Sequence, residues 1–289
     1  MSQKFSFKKG YRGRAIFVIF NTIFFIIVMA TMLIPIIKVC VDSLQLKTNY
    51  GLNLLPEDPS LKAYQIIFQQ ESLYTPFLVS VITTALGTLV GLFVATIGAY
   101  VLIQKDMPGV KIISYLLMFT MIFNGGLVPT YLVVRDVGLL NSLWSIIFTL
   151  SMNVYNLVLM RNFFEQIPES LFEAADIDGC SPIGIFIKIV LPLSKPALAS
   201  IGLFFAVAAW SEYFHYVLYI TDTSLYNFQV KLRSLVLDDQ SMPAAQAAGV
   251  SAKTIQNAAI IVAIIPFMFI YPFCQKYFIS GVTMGAVKE

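Results

Sequence analysis

The 289-residue chain is 58% hydrophobic and only 12% charged, carries a net charge of +3 at neutral pH, and has a mean hydropathy of +0.79. That balance excludes an ordinary soluble domain and places the chain in a lipid bilayer. The excess charge forms no basic, aromatic-interleaved patch, so nucleic acid is not among the expected partners.

A membrane-crossing helix needs roughly 20 mostly apolar residues, and six stretches qualify: 16–39, 75–103, 112–134, 143–160, 197–220 and 254–273. All six read as helices. Period-two alternation in short segments is missing, and in lipid only helices or closed barrels satisfy their own backbone polar groups. The expected fold class is therefore all-α: a polytopic bundle of six transmembrane helices over 16–289, preceded by a cytoplasmic segment, 1–15.

The first span follows Lys4, Lys8, Lys9, Arg12 and Arg14, which superficially resembles a secretory signal. It is too long for a signal's apolar region, and Pro35-Ile36-Ile37-Lys38-Val39-Cys40 offers no small-residue cleavage site, so it is read as a retained helix. The five basic residues place the N-terminus in the cytoplasm, and six spans return the C-terminus there. On this topology Lys105, Lys111, Arg161, Lys188, Lys195, Lys276 and Lys288 are also inside, against Lys38, Lys47, Lys62, Arg135, Lys231, Arg233 and Lys253 outside. The outer loops are 40–74 and 221–253, and the tail 274–289 is cytoplasmic.

In the second span Gly87, Gly91 and Gly98 recur at spacings that let another helix approach closely. Pro129 in the third span and Pro266 in the sixth predict kinks. Between the fourth and fifth spans lies a polar inner loop, 161–196. Pro168 and Glu169 suit the first turn of a helix running to Ile177, with Glu169, Glu173 and Asp176 expected on one face and Leu171, Ala174 and Ala175 on the other. Gly179 is the natural left-handed residue past its end, and Ser181-Pro182 reads as the N-cap and first position of a second short helix. Taken alone, this pattern also describes an amphipathic surface helix whose acids favour the helix dipole.

In the fifth span, Glu212 would sit about 12 Å below the outer end at 1.5 Å per residue. A carboxylate at that depth faces the bundle interior or a wet cavity. It is read as a substrate-path residue, or else as a partner in an interhelical hydrogen bond or a snorkelling surface acid. His215, the single histidine, reads as interfacial. Cys40, Cys180 and Cys274 match no metal or redox spacing, no metal site is expected, and no disulfide is expected.

The loop sequence Glu173-Ala174-Ala175-Asp176-Ile177-Asp178-Gly179, followed by Leu191-Pro192, resembles the coupling loop of ABC importer permeases, and in particular the smaller six-span permease of the maltose-type carbohydrate importers. The segments Asn124-Gly125-Gly126-Leu127-Val128-Pro129, Gly138-Leu139-Leu140-Asn141-Ser142-Leu143-Trp144 and Asn156 to Phe164 resemble the complex-oligosaccharide branch. Cys180 and Ser211 depart from the residues usual there, Ala and Asn.

The resemblance implies a type I importer fold and alternating access driven by a separate ATPase. Glu173, Ala174, Ala175, Asp176, Gly179, Leu191 and Pro192 would meet that ATPase, a homodimer or heterodimer. Trp210, Glu212, Tyr213 and Asn124 are the candidate substrate path. Further implied partners are a second permease subunit, an extracytoplasmic solute-binding protein, a carbohydrate and membrane lipid, in a bacterial plasma membrane. No cofactor is expected on this chain, ATP and Mg belonging to the ATPase, because no Gly-x-x-x-x-Gly-Lys-Ser/Thr loop is present. Nor is it expected to be an enzyme, having neither a His-Glu-x-x-His pair nor a Gly-x-Ser-x-Gly elbow. The alternative reading is a secondary transporter or channel.

Overall fold

A chain this apolar must close its backbone hydrogen bonds on itself, and its described residues do so almost entirely as helices. The structure, a computed structural model, describes residues 12–47, 51–69, 71–104, 106–237 and 249–286. Expectations resting on Lys4, Lys8, Lys9, Lys105, the middle of the outer segment (238–248) and residues 287–289 lie outside the described residues, as do the side chains beyond Pro272. The helices are α1 (Arg12–Ser43), α2 (Lys62–Gln69), α3 (Tyr74–Ile103), α4 (Val110–Ile122), α5 (Leu127–Asp136), α6 (Leu143–Ser151), α7 (Val154–Phe164), α8 (Glu169–Ile177), α9 (Pro182–Ile185), α10 (Leu191–Leu193), α11 (Lys195–Trp210), α12 (Phe214–Tyr219), α13 (Phe228–Leu237) and α14 (Ala252–Ala286).

Three of these contain stretches long and apolar enough to cross a membrane, Ile16–Ser43, Tyr74–Ile103 and Ala252–Ile270; three bent pairs bring the number of spans to as many as six. Two of the bends fall inside expected spans, the third and fourth, and the other lies just ahead of the fifth. α4 and α5 meet at 119°, α6 and α7 at 44°, and the segment 182–193 meets α11 at 79°. In the third expected span the break is at Asn124-Gly125-Gly126 rather than at Pro129, because Gly126 has φ 92°, a conformation open to glycine. Pro129 falls inside the first turn of α5, where its missing N–H costs nothing. The fifth expected span, 197–220, is interrupted after Trp210 and resumes at Phe214. α14, by contrast, is one helix containing Pro266 and Pro272.

The chain divides into two compact units. The first, residues 1–69 with 238–262, has α1 as its longest element, and none of that helix's most apolar window is buried. Beyond α1 the chain folds back through Ser60 N–H to Leu44 O (2.7 Å) and Ser251 N–H to Leu46 O (2.9 Å). The Ser43 hydroxyl lies 2.7 Å from that of Tyr64.

The second unit, residues 70–237 with 263–289, is organised around α3, against which α6, α7 and α11 pack. Helices approach closely in lipid where side chains are small. A Cβ placed on Gly91 would lie 2.7 Å from the Phe205 ring, and one on Gly98 would lie 2.8 Å from Leu157. One apolar cluster, with Ala95, Ala99, Met160, Phe164, Val190, Ala197, Ile201 and Phe205, surrounds the C-terminal half of α3. Another, with Val79, Ile146, Tyr216, Tyr219 and Ile220, surrounds its N-terminal end.

Gly91→Val should therefore force α3 away from α11. A cost of about 1–3 kcal/mol is expected, as for other overpacked sites, read as a lower thermal midpoint and less monodisperse protein. Gly87→Ala is the control: its Cβ would meet nothing closer than Ala209 at 3.7 Å, and it should be neutral or stabilising.

Candidate coupling loop and substrate path

α8 begins after Pro168 and ends where Asp178 and Gly179 leave the helix, Gly179 adopting φ 70°. The Cys180 N–H reaches back to Ala175 O (2.9 Å) and the Gly179 N–H to Asp176 O (3.0 Å), the paired bonds of a Schellman stop. Ser181 then caps the next turn, its hydroxyl accepting from Gly184 N–H at 3.2 Å, with Pro182 at the first position. Helix, left-handed glycine and capped helix follow one another as their residue types dictate.

The two faces of α8 differ from the expected division. Ala175 is only 7% exposed and joins the apolar cluster around α3, together with half-buried Phe172 and Cys180. Leu171 and Ala174 instead face outward with Glu169, Glu173 and Asp176. The outer surface thus mixes acids with an apolar ridge whose most prominent members, Ile177 at 86% exposed and Ile183 at 71%, carry no charge pattern that would single them out. The register explains the difference: residues 172 and 175, three apart, share the inward stripe, which leaves 171 and 174 on its outer flank.

Leu191 is half-buried and Pro192 exposed. Just before them the helix widens, the Leu191 N–H bonding to Phe186 O five residues back. Proline has no N–H and crowds the carbonyl four residues earlier, so a wide turn ahead of Pro192 relieves it. Tyr100, near the end of α3, ties the loop down. Its hydroxyl donates to Pro182 O across 82 residues at 2.8 Å, and its ring centroid lies 4.8 Å from that of Phe186. A tyrosine at a span end reads from sequence as an interfacial residue, so this tie was not legible there.

The fifth-span break gathers some of the predicted path residues and not others. Glu212 lies in the non-helical link between α11 and α12, not within a helix, and is shielded, its side chain 12% exposed. One carboxylate oxygen accepts from the His215 backbone N–H at 2.9 Å and lies 3.0 Å from His215 Nδ1. Asn227, fully buried, donates to the Glu212 carbonyl and accepts from the Val230 N–H at 3.0 Å, starting α13. Tyr213 is half-buried beside Glu212. Trp210 is a packing residue: it is buried, its indole N–H donates to Ala263 O at 3.1 Å, and its ring meets Phe77 edge-on. Asn124 is exposed, and its side chain caps its own turn by accepting from Gly126 N–H at 2.9 Å. Among the described residues no group of three or more His, Cys, Asp or Glu could hold a metal ion.

Broken and bent apolar helices packed on a small-residue column are the build of a multi-pass membrane protein. Residues 109–284 match the family described as the binding-protein-dependent transport system inner membrane component, and the chain belongs to that family. It is 44% identical, over 81% of its length and 84% of the relative's, to the polygalacturonan/rhamnogalacturonan transport system permease protein YtcP of Bacillus subtilis (strain 168). Protein LplC of the same organism is 39% identical over 81% of each chain. A solved chain of a bacterial ABC transporter involved in import of the acidic polysaccharide alginate superposes with TM-score 0.87 at 32% identity, covering 96% of this chain and 100% of that one. The protein is a permease of an ABC importer, a transport subunit rather than an enzyme.

Tyr100→Phe keeps the ring on Phe186 and deletes the bond to Pro182. A loss of about 1 kcal/mol is expected for one neutral hydrogen bond, seen as a small fall in thermal midpoint. Tyr100→Ala, which also removes the ring, should fall much further.

Proposed function

We propose that this permease carries an oligosaccharide, with acidic sugars favoured, across a bacterial plasma membrane by alternating access. In this reading it works with a second permease subunit, a separate ATPase homodimer or heterodimer that binds ATP and Mg, and an extracytoplasmic solute-binding protein. Both termini lie in the cytoplasm, and no cofactor sits on this chain. The cargo reading draws on relatives whose names specify polygalacturonan and alginate transport. A secondary transporter or channel is disfavoured by the family membership.

The observation that carries the coupling role is the two-faced elbow at Gly179. Its inner face is packed into the cluster around α3, α7 and α11, while its outer face offers Ile177 and Ile183 beside Glu173 and Asp176. A push on the outer face therefore moves packed spans rather than a loose loop. Glu173, Ala174 and Asp176 belong to the surface that meets the ATPase. Ala175 supports it from within, Gly179 fixes its angle, and Leu191 and Pro192 form the return into α11. Glu212 and Tyr213 border the cargo path; Trp210 packs beside them through Ala263, and Asn124 holds the third-span break.

Co-expressed with its neighbours, the chain should purify with one copy of another permease and two of an ATPase. Cys180 packs inward, so crosslinking is best read from Ile177→Cys in a Cys180→Ser background, which should join the ATPase through a cysteine placed on the facing subunit. Gly179→Val forces a β-branched residue into the left-handed region, costing about 1–2 kcal/mol, and should abolish ATP hydrolysis stimulated by the loaded binding protein while leaving membrane insertion intact. Unchanged stimulation together with absence of any crosslink would reject the coupling role.

Glu212→Gln keeps an acceptor for the His215 N–H but removes the charge. It should slow uptake with little change in assembly, whereas Glu212→Leu, which leaves that N–H without its acceptor, should cost about 1–3 kcal/mol of stability. Loss of stability in both, with normal uptake, would make the residue a helix cap and nothing more.

A further inference from the structure

α13 is held firmly at its start. Asn227 bonds the broken fifth span at Glu212 O, the Phe228 N–H donates to Ser80 Oγ on α3 at 2.9 Å, and the Phe228 ring meets Phe77 edge-on at 5.8 Å. From this fixed base the helix extends over the break, and there the Arg233 guanidinium carbon lies 4.5 Å from the centre of the Tyr213 ring. A guanidinium held by an aromatic face is positioned without using a hydrogen-bond donor, so its five N–H groups remain.

Among the described residues, the acids nearest Tyr213 in sequence have other occupations. Glu212 accepts from the His215 N–H, and Asp222 accepts from the Ser224 N–H at 2.8 Å. Arg135, by comparison, is paired with Asp136 at 2.8 Å. Among the described residues no ion pair or hydrogen bond engages the guanidinium of Arg233, an exposed residue. An oriented, open guanidinium fork is matched by a planar carboxylate, which it grips through two parallel bonds.

We propose that Arg233, seated on Tyr213 beside the fifth-span break, is a subsite for the carboxylate of an acidic sugar residue in the transported oligosaccharide. The subsite rests on the oligosaccharide reading given above, and Arg233 is its charge-recognising member, with Tyr213 the platform that aims it. Asn227 acts at one remove, setting the position of α13.

The test uses the assembled complex in lipid nanodiscs, with trigalacturonate and its uncharged methyl ester as probes, and uptake by the same complexes in proteoliposomes. The intact complex should bind the acid more tightly than the ester. Arg233→Gln should weaken binding of the acid by about tenfold or more, as expected for loss of one charge-assisted contact, leave the ester unchanged, and elute as the same assembly. Arg233→Lys should recover part of the loss, and Tyr213→Leu should weaken the acid while Arg233 is intact. Equal binding of the acid by the Arg233→Gln and unaltered complexes overturns the subsite. Uptake of neutral oligosaccharides without any affinity for the acid also overturns it but leaves the oligosaccharide reading standing. A complex that moves no carbohydrate removes that reading and the subsite with it.

Discussion

An unpaired backbone N–H or C=O costs far more in lipid than at an aqueous surface, and most of the local architecture follows from how this chain interrupts its helices without leaving such groups bare. Several of the interruptions carry a polar side chain of their own. Asn124 serves Gly126, Asn153 serves Asn156 at 3.0 Å, and Asn141 accepts from both Thr221 and Asp222. Glu212 and Asn227 divide the fifth-span break between them, one serving a donor and the other an acceptor. Breaks so equipped are stable irregularities, of the kind that transporters use where backbone borders a cavity.

The second unit converts this set of broken helices into a machine by building it on one unbroken column. α3 is glycine-lined on the side that meets Phe205 and Leu157, so its neighbours sit close and have little room to slide independently. Near one end it holds the elbow through Tyr100; towards the other it holds Tyr216 through Thr83 (2.8 Å) and α13 through Ser80. The elbow and the fifth-span break are thus both bonded to the same helix.

Composition and run length were enough to reveal a helical membrane protein, because hydropathy is a sum over many residues and tolerates local error. The elbow was legible for a different reason. Gly179, Ser181 and Pro182 each have a backbone preference strong enough to act alone, and φ 70° at Gly179 with the Ser181 cap follows from those preferences. What failed was anything set by three-dimensional register. The assignment of Ala174 and Ala175 to one face erred because helical spacing does not say which stripe meets the core, and the bond from the Trp210 indole to Ala263 has no signal in the sequence. The bends were hidden for a related reason: Asn124-Gly125-Gly126 and Ser211-Glu212-Tyr213 interrupt apolar runs too briefly to lower a window average. Ties across long sequence separations, Tyr100 to Pro182 above all, leave no local mark.

α1 is governed by another kind of selection. Its apolar window buries nothing within the structure, and the family match begins only at residue 109. A helix face that meets fluid acyl chains is constrained in hydropathy but hardly in shape, whereas one that meets a second permease subunit is constrained in both. The glycine-lined face of α3 has no such latitude. Sequence drift along this chain should therefore be uneven by solvent rather than by distance from the cargo, fast in amino-acid identity where lipid is the neighbour and slow where protein is.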